Sequence, residues 1–209
     1  GRSNQPTVVF DSTGRAYSLA SHQLPSARGQ GEPLTGRINP PSGATFEALL
    51  AGAETERYLL ASDAGYGFVA QFADLQAKNK AGKAVLSLPK GAGVLQPSRA
   101  GGSAEALVAA ATNEGRMLVF PLAELPALAR GKGNKIIGIP SARAAAREEL
   151  MVGVVVVEPG EVVQVTAGKQ HLKLKYADLQ HYRGERGRRG NKLPKGFQKV
   201  SGVSVLATD

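Results

Sequence analysis

The chain has 209 residues, no cysteine, no tryptophan and a net charge of +9, which excludes disulfides, thiolate metal ligation and cysteine nucleophiles. No run of eighteen apolar residues is present and the N-terminus lacks a charged-then-apolar export pattern, so the expectation is a cytoplasmic chain with no membrane insertion. With 42% hydrophobic and 5% aromatic residues, the core has to be built from Val, Leu, Ile and Ala.

In chain order, residues 7–10 and 15–19 flank Asp11-Ser-Thr-Gly14 and read as a β-hairpin, with glycine where positive φ is needed. Residues 58–62 and 66–72 repeat the plan around Asp63-Ala-Gly65. Residues 97–105 read as a flexible loop. Residues 107–112 and 116–120 flank Asn113-Glu-Gly115; alanine favours helix there, but phase with the other hairpins predicts a strand. Residues 141–151 predict a short surface helix. Strands are expected at 154–157, 161–166 and 169–175, with Lys169, His171, Lys173 and Lys175 on one wet face.

The turn glycines Gly14, Gly65, Gly115 and Gly168 are 51, 50 and 53 residues apart. Leu24, Leu75, Leu125 and Leu179 follow them by 10, 10, 10 and 11 residues. After each leucine comes a basic glycine cluster: Arg28-Gly-Gln-Gly31, Lys80-Ala-Gly-Lys83, Arg130-Gly-Lys-Gly133 and Arg186-Gly-Arg-Arg-Gly190. A period near fifty, carried by hairpins, implies an all-β propeller-like array of about four blades. The whole chain, 1–209, is read as a single domain with repeats at about 7–57, 58–105, 106–153 and 154–206.

Charge is concentrated. Residues 1–127 carry 11 basic and 10 acidic side chains, whereas residues 128–200 carry 15 and 6. A focused positive field draws polyanions, chiefly nucleic acid, with an acidic protein or an anionic membrane as alternatives. Glycines let backbone amides approach a phosphate while Arg and Lys neutralise it. The candidate DNA contacts are Arg15, Arg28, Arg37, Lys78, Lys80, Lys83, Arg116, Arg130, Lys132, Lys135, Lys169, Arg186, Arg188, Arg189 and Lys192. Backbone grip without base-edge readers implies sequence-tolerant binding with a steep salt dependence. Because residues 128–200 hold the excess charge, they are expected to anchor the duplex, and reversing Arg188 and Arg189 should weaken binding more than reversing Arg15 and Arg37.

Catalytic patterns are missing. His22, His171 and His181 have no partners at metal-ligand spacing, and neither a nucleophile elbow nor a nucleotide P-loop is present. Arg57-Tyr58 has the order of a DNA-cleaving tyrosine site, but Tyr58 opens an apolar strand and reads as a core residue. No metal or cofactor site is expected. An RNA-binding reading is disfavoured because aromatics do not interleave the basic clusters.

Several stretches together are specific: Phe10-Asp-Ser-Thr-Gly-Arg15, Leu24-Pro-Ser-Ala-Arg-Gly-Gln-Gly-Glu-Pro-Leu-Thr-Gly36, Ala61-Ser-Asp-Ala-Gly-Tyr-Gly-Phe68, Gly131-Lys-Gly-Asn-Lys-Ile-Ile137 and Gly184-Glu-Arg-Gly-Arg-Arg-Gly190. By these the chain resembles the C-terminal domain family of the bacterial DNA topoisomerase IV A-subunit, related to that of the DNA gyrase A-subunit. The resemblance implies a β-pinwheel, a propeller-like fold whose blades exchange strands, as an open or broken ring. It implies a non-catalytic fragment that binds and bends duplex DNA and positions the transport segment for decatenation and relaxation. The cleavage tyrosine, the ATPase on the B-subunit, and the ATP and Mg2+ they use would lie elsewhere. The partners implied are DNA, the rest of the A-subunit and, through it, the B-subunit, at the bacterial nucleoid. Gyrase's basic box, Gln-Arg-Arg-Gly-Gly-Lys-Gly, is not intact here; Arg188-Arg-Gly-Asn-Lys192 is the nearest remnant, which favours topoisomerase IV over gyrase-type wrapping. A propeller scaffold for an acidic protein partner is the rival reading.

Overall fold

A computed structural model of the chain describes residues 6–20 and 40–206. Each of the last three repeats contributes a hairpin, a short basic strand and a further strand that closes the far side, and the described part of the first contributes the hairpin and the closing strand. The first gives β1 (Pro6–Asp11), β2 (Arg15–Ala20) and β3 (Phe46–Ala51). The second gives β4 (Arg57–Ala61), β5 (Tyr66–Gln71), the one-turn helix α1 (Phe72–Leu75), β6 (Lys83–Ala84) and β7 (Ser98–Ala100). The third gives β8 (Leu107–Thr112), β9 (Arg116–Pro121), β10 (Asn134–Lys135) and β11 (Met151–Val157), which runs past the expected repeat boundary at 153/154 because residues 154–157 pair with β8 of the third blade. The fourth gives β12 (Val162–Ala167), β13 (Gln170–Lys175), β14 (Asn191–Lys192) and β15 (Gly202–Leu206). All four turn glycines have positive φ, between 61° and 91°, a conformation that costs a residue with a Cβ about 1–2 kcal/mol.

The strands do not assemble repeat by repeat. The sheets run β3-β1-β2-β6, β7-β4-β5-β10, β11-β8-β9-β14 and β15-β12-β13, all antiparallel. The outer strand of each of the first three blades is thus donated by the following repeat. This is the strand-exchanged, four-bladed pinwheel. Among the described residues, no pairing joins the fourth sheet to the first and none covers the outer edge of β13.

Blades pack face to face, and the core lies between them. Along β8, Leu107, Ala109 and Ala111 face the fourth blade, while Val108 and Ala110 face the second. Tyr58 and Leu60 of β4 face the first blade, and Leu59 and Ala61 the third. With both faces buried, a strand reads as a continuous apolar run. That is why the alanines at 109–111, poor in β propensity, are strand: they let two neighbouring sheets close on one.

Two expectations need correction. The helix anticipated over 141–151 is only one turn, α2 (Ser141–Ala145). Arg147 turns the chain at φ 61°, and Asn113 Oδ1 accepts the Leu150 amide at 2.9 Å, feeding 151–157 into β11 as a strand. The flexible loop expected at 97–105 contains β7, which pairs with β4. Ser98 Oγ there accepts the Val156 amide at 3.0 Å. Glycine and serine content suggested a loop, but the vacant edge of β4 recruits this segment.

Two core tyrosines confer an alkaline limit. Burial, and then the hydrogen bond from its hydroxyl to Asp11 Oδ2 at 2.6 Å, pushes Tyr17 up to about 12. Burial and Glu56, at 3.0 Å, push Tyr58 up to about 12 as well. A phenol ionises near pH 10 when unfolded, so the protonated rings stabilise the fold fully below about pH 10 and lose that contribution as pH rises through about 12. Urea unfolding followed across this range should show the decline, and Tyr17→Phe with Tyr58→Phe should make it shallower. An unchanged slope in the double variant would place the alkaline sensitivity elsewhere.

Candidate nucleic-acid interface

The turn glycine is the docking point for the next repeat's basic loop. Gly14 O accepts from the Val85 and Leu86 amides at 3.2 and 3.0 Å, Gly65 O from Ile136 at 2.6 Å, and Gly115 O from Leu193 at 2.8 Å. The residue after each glycine then pairs with the donated strand: Arg15 opposite Ala84, Tyr66 opposite Lys135, Arg116 opposite Lys192. Arg15 also donates to Ala81 O at 3.1 and 2.9 Å and to Gly82 O at 3.2 Å, and Arg116 Nη1 to Gly190 O at 3.3 Å. These two arginines therefore hold the donated loop.

The docked loops also touch one another. Ser87 N donates to Gly131 O at 2.9 Å and Gly131 N to Val85 O at 2.8 Å, joining the second loop to the third. Gly187 N donates to Ile136 O at 2.9 Å, Gly138 N to Arg188 O at 2.8 Å and Arg186 Nη1 to Lys135 O at 2.7 Å, joining the third to the fourth. Three basic glycine loops, distant in sequence, form one continuous ridge across the first three blades.

The candidate cations divide by what they touch. Lys78, Lys80, Arg130, Lys135 and Lys192 are exposed on or beside the ridge. Lys132 is exposed too, its Nζ 4.2 Å from the Tyr66 ring centroid. Lys83 Nζ donates to Asp74 O at 2.6 Å and Arg186 is tied to the neighbouring loop, so both have structural work. Arg188 makes an exposed 3.1 Å pair with Glu185, which in solvent is worth under about 1 kcal/mol. Arg189 is held more firmly: its Nη1 lies 2.6 Å from Oε1 of fully buried Glu149 and 2.8 Å from Gly138 O. Lys169 sits apart on the fourth blade, exposed with His171, Lys173 and Lys175 on the outward face of β13. Arg28, Arg37 and His22 lie outside the described residues.

Residues not anticipated from sequence complete the surface. Asp63 accepts a bidentate pair from Arg147 at 2.7 and 2.8 Å and the Gly93 amide at 2.9 Å. Hydrogen bonds to Asp63 raise Arg147 above its ordinary value. Lys90 lies close to Lys132 and Lys135 although more than forty residues separate them. Nothing local in the sequence signals these contacts. Among the described residues no cluster of His, Asp or Glu could hold a metal, and no helix is long and apolar enough to cross a membrane.

The family model for the DNA gyrase C-terminal domain, a beta-propeller, matches residues 56–97, 107–158 and 181–207. The chain is 57% identical over 205 residues to the DNA topoisomerase 4 A-subunit of Pseudomonas aeruginosa, 52% over 206 residues to that of Haemophilus influenzae and 48% over 205 residues to that of Escherichia coli. These alignments cover 98–99% of this chain and 27% of each relative, so the chain spans about a quarter of their length. The solved E. coli ParC C-terminal domain superposes with a TM-score of 0.87 at 48% identity, covering 100% of this chain and 84% of that one. A DNA gyrase A C-terminal domain superposes at 0.75 with 15% identity, over 100% of this chain and 68% of that one, and shares the fold.

Proposed function

Because the chain belongs to the DNA gyrase C-terminal domain family and corresponds to the C-terminal, accessory part of the topoisomerase IV A-subunit, whose catalytic part lies in the rest of that polypeptide, we propose that it is a sequence-tolerant duplex DNA-binding and bending unit. All 209 residues act as one domain, placing the transport segment for decatenation and relaxation at the bacterial nucleoid. Its partners are DNA, the remainder of the A-subunit and, through it, the B-subunit.

The observation that carries this reading is the continuous ridge of docked basic loops, with Lys78, Lys80, Arg130, Lys132, Lys135 and Lys192 pointing into solvent. A ridge spanning three blades offers a stiff polyanion several grips at once. Bending 20–30 base pairs by 40–90° costs roughly 1–6 kcal/mol, which charge on successive blades offsets. Strand exchange moves the anchor: the cations of residues 130–135 sit on the second blade and those of 186–192 on the third.

Fluorescence anisotropy with a duplex at several salt concentrations tests the reading. The logarithm of the binding constant should fall against that of salt with a slope of about −0.9 for each phosphate neutralised. Resonance energy transfer between the duplex ends should report bending. Binding that ignores salt, or no binding, would refute it.

A further inference from the structure

The second blade carries a cleft of about 300 Å³ where its rim meets the segment leading into β11. Taking a liquid water as about 30 Å³, it holds roughly ten. That is room for a phosphate and an attached sugar. Tyr66, Lys90, Lys132, Lys135, Ile139 and Arg147 line it, and no carboxylate does. Asp63, next in sequence to the lining residue Ala64, has both oxygens occupied by Arg147. The lysines are placed by the fold. Lys135 is paired to Tyr66, with its carbonyl held by Arg186, and the Lys132 ammonium rests on the Tyr66 ring.

The third blade has a cleft at the same register, where Arg116 and Lys192 stand opposite each other. There Glu114 lies in the lining and pairs with Arg143 at 3.1 Å, and Arg189 is taken by Glu149. Two clefts share one architecture, but one alone presents three lysines with no acid among them. An anion placed in it meets cations on several sides, and the apolar Ile139 wall strengthens the field by excluding water.

We propose that the second-blade cleft is a phosphate subsite. It takes a phosphoryl group with its flanking sugar, and, resting on the DNA-binding reading above, that group is a single backbone phosphate of the duplex. The site fixes where the DNA crosses the second blade, and the third blade's cleft is a weaker counterpart.

Inorganic pyrophosphate and a duplex oligonucleotide are the two probes, read by amide chemical shifts of the labelled chain. Pyrophosphate should shift the Ile139 and Ala144 amides in the native protein and in Lys173→Gln/Lys175→Gln, which removes equal charge on the fourth blade. It should leave them unmoved in Lys132→Gln/Lys135→Gln. Duplex shifting the same amides identifies the backbone as the source; shifts with pyrophosphate alone keep the phosphate site, assign it to a free phosphate compound and overturn its DNA role. If pyrophosphate moves neither amide, or moves them equally in the cleft variant, the subsite is refuted. In anisotropy the cleft variant should flatten the salt slope by about 1, because two lysines serve one phosphate. Flattening by about 2 would mean two separate contacts and overturn the single site. A native protein that binds no duplex defeats the proposed function, while the pyrophosphate result still decides the cleft.

Discussion

Arg189→Ala lowers folding stability by about 3 kcal/mol, whereas Arg188→Ala, one residue away, changes it by under about 0.5 kcal/mol. The contrast comes from burial. The Glu149 side chain is 0% exposed and its two oxygens lie 2.6 and 3.0 Å from Arg189 Nη1. Removing the guanidinium leaves a buried carboxylate unpaired, and the desolvation that the pair offset is then uncompensated. Arg188 and Glu185 are each 73% exposed, so water replaces either partner. Urea unfolding of the two variants measures the difference. Replacing both Arg189 and Glu149 with methionine should recover most of the loss, since no charge is left buried. If Arg189→Ala is as mild as Arg188→Ala, the pair does not join the fourth loop to the segment before β11. Charge reversal at Arg189 consequently tests this join and not the DNA path; Lys132, Lys135 and Lys192 are the positions at which to reverse charge.

Gly133→Ala costs on the order of 3 kcal/mol and releases the third basic loop from the second blade. Gly133 has φ +82°, and a Cβ there would run into the backbone of Gly67 on β5. Left-handed backbone alone accounts for about 1–2 kcal/mol, and the collision forces β10 away from β5 for the rest. Gly43 and Gly91 have similar φ, 84° and 79°, with nothing within 4 Å of an added Cβ. Alanine at either should cost only the backbone fraction, about 1–2 kcal/mol. Hydrogen exchange at the Ile136 amide, which donates to Gly65 O at 2.6 Å, would report the released loop directly. A Gly133→Ala protein with native exchange at Ile136 would show that the close approach to Gly67 does not secure the donated strand.

Much of the architecture was legible from local chemistry. Gly14, Gly65, Gly115 and Gly168 each require positive φ, and the apolar runs beside them have strand length, so hairpin number and phase were readable. Even the alanines of β8 followed once phase outweighed propensity. The short elements were not legible. β7 spans three residues and β6, β10 and β14 two each, too few for any alternation to register. The 141–151 segment reads as helix residue by residue, yet its course is decided by Asn113 and Asp63, far away in sequence.

The candidate interface divides the same way. That arginine and lysine recur with glycine in phase, and that their excess lies in residues 128–200, is a property of composition and order. Which blade each cluster serves is not, because the outer strand pairs with the hairpin of the preceding repeat, Ala84 with Arg15, Lys135 with Tyr66 and Lys192 with Arg116. Nor could order alone separate Lys132 and Lys135, free to meet an anion, from Arg15, Arg116 and Arg189, which hold loops in place. Periodicity is written in neighbouring residues through backbone conformation. Freedom of a charge depends on which carbonyl or carboxylate the finished fold brings to it.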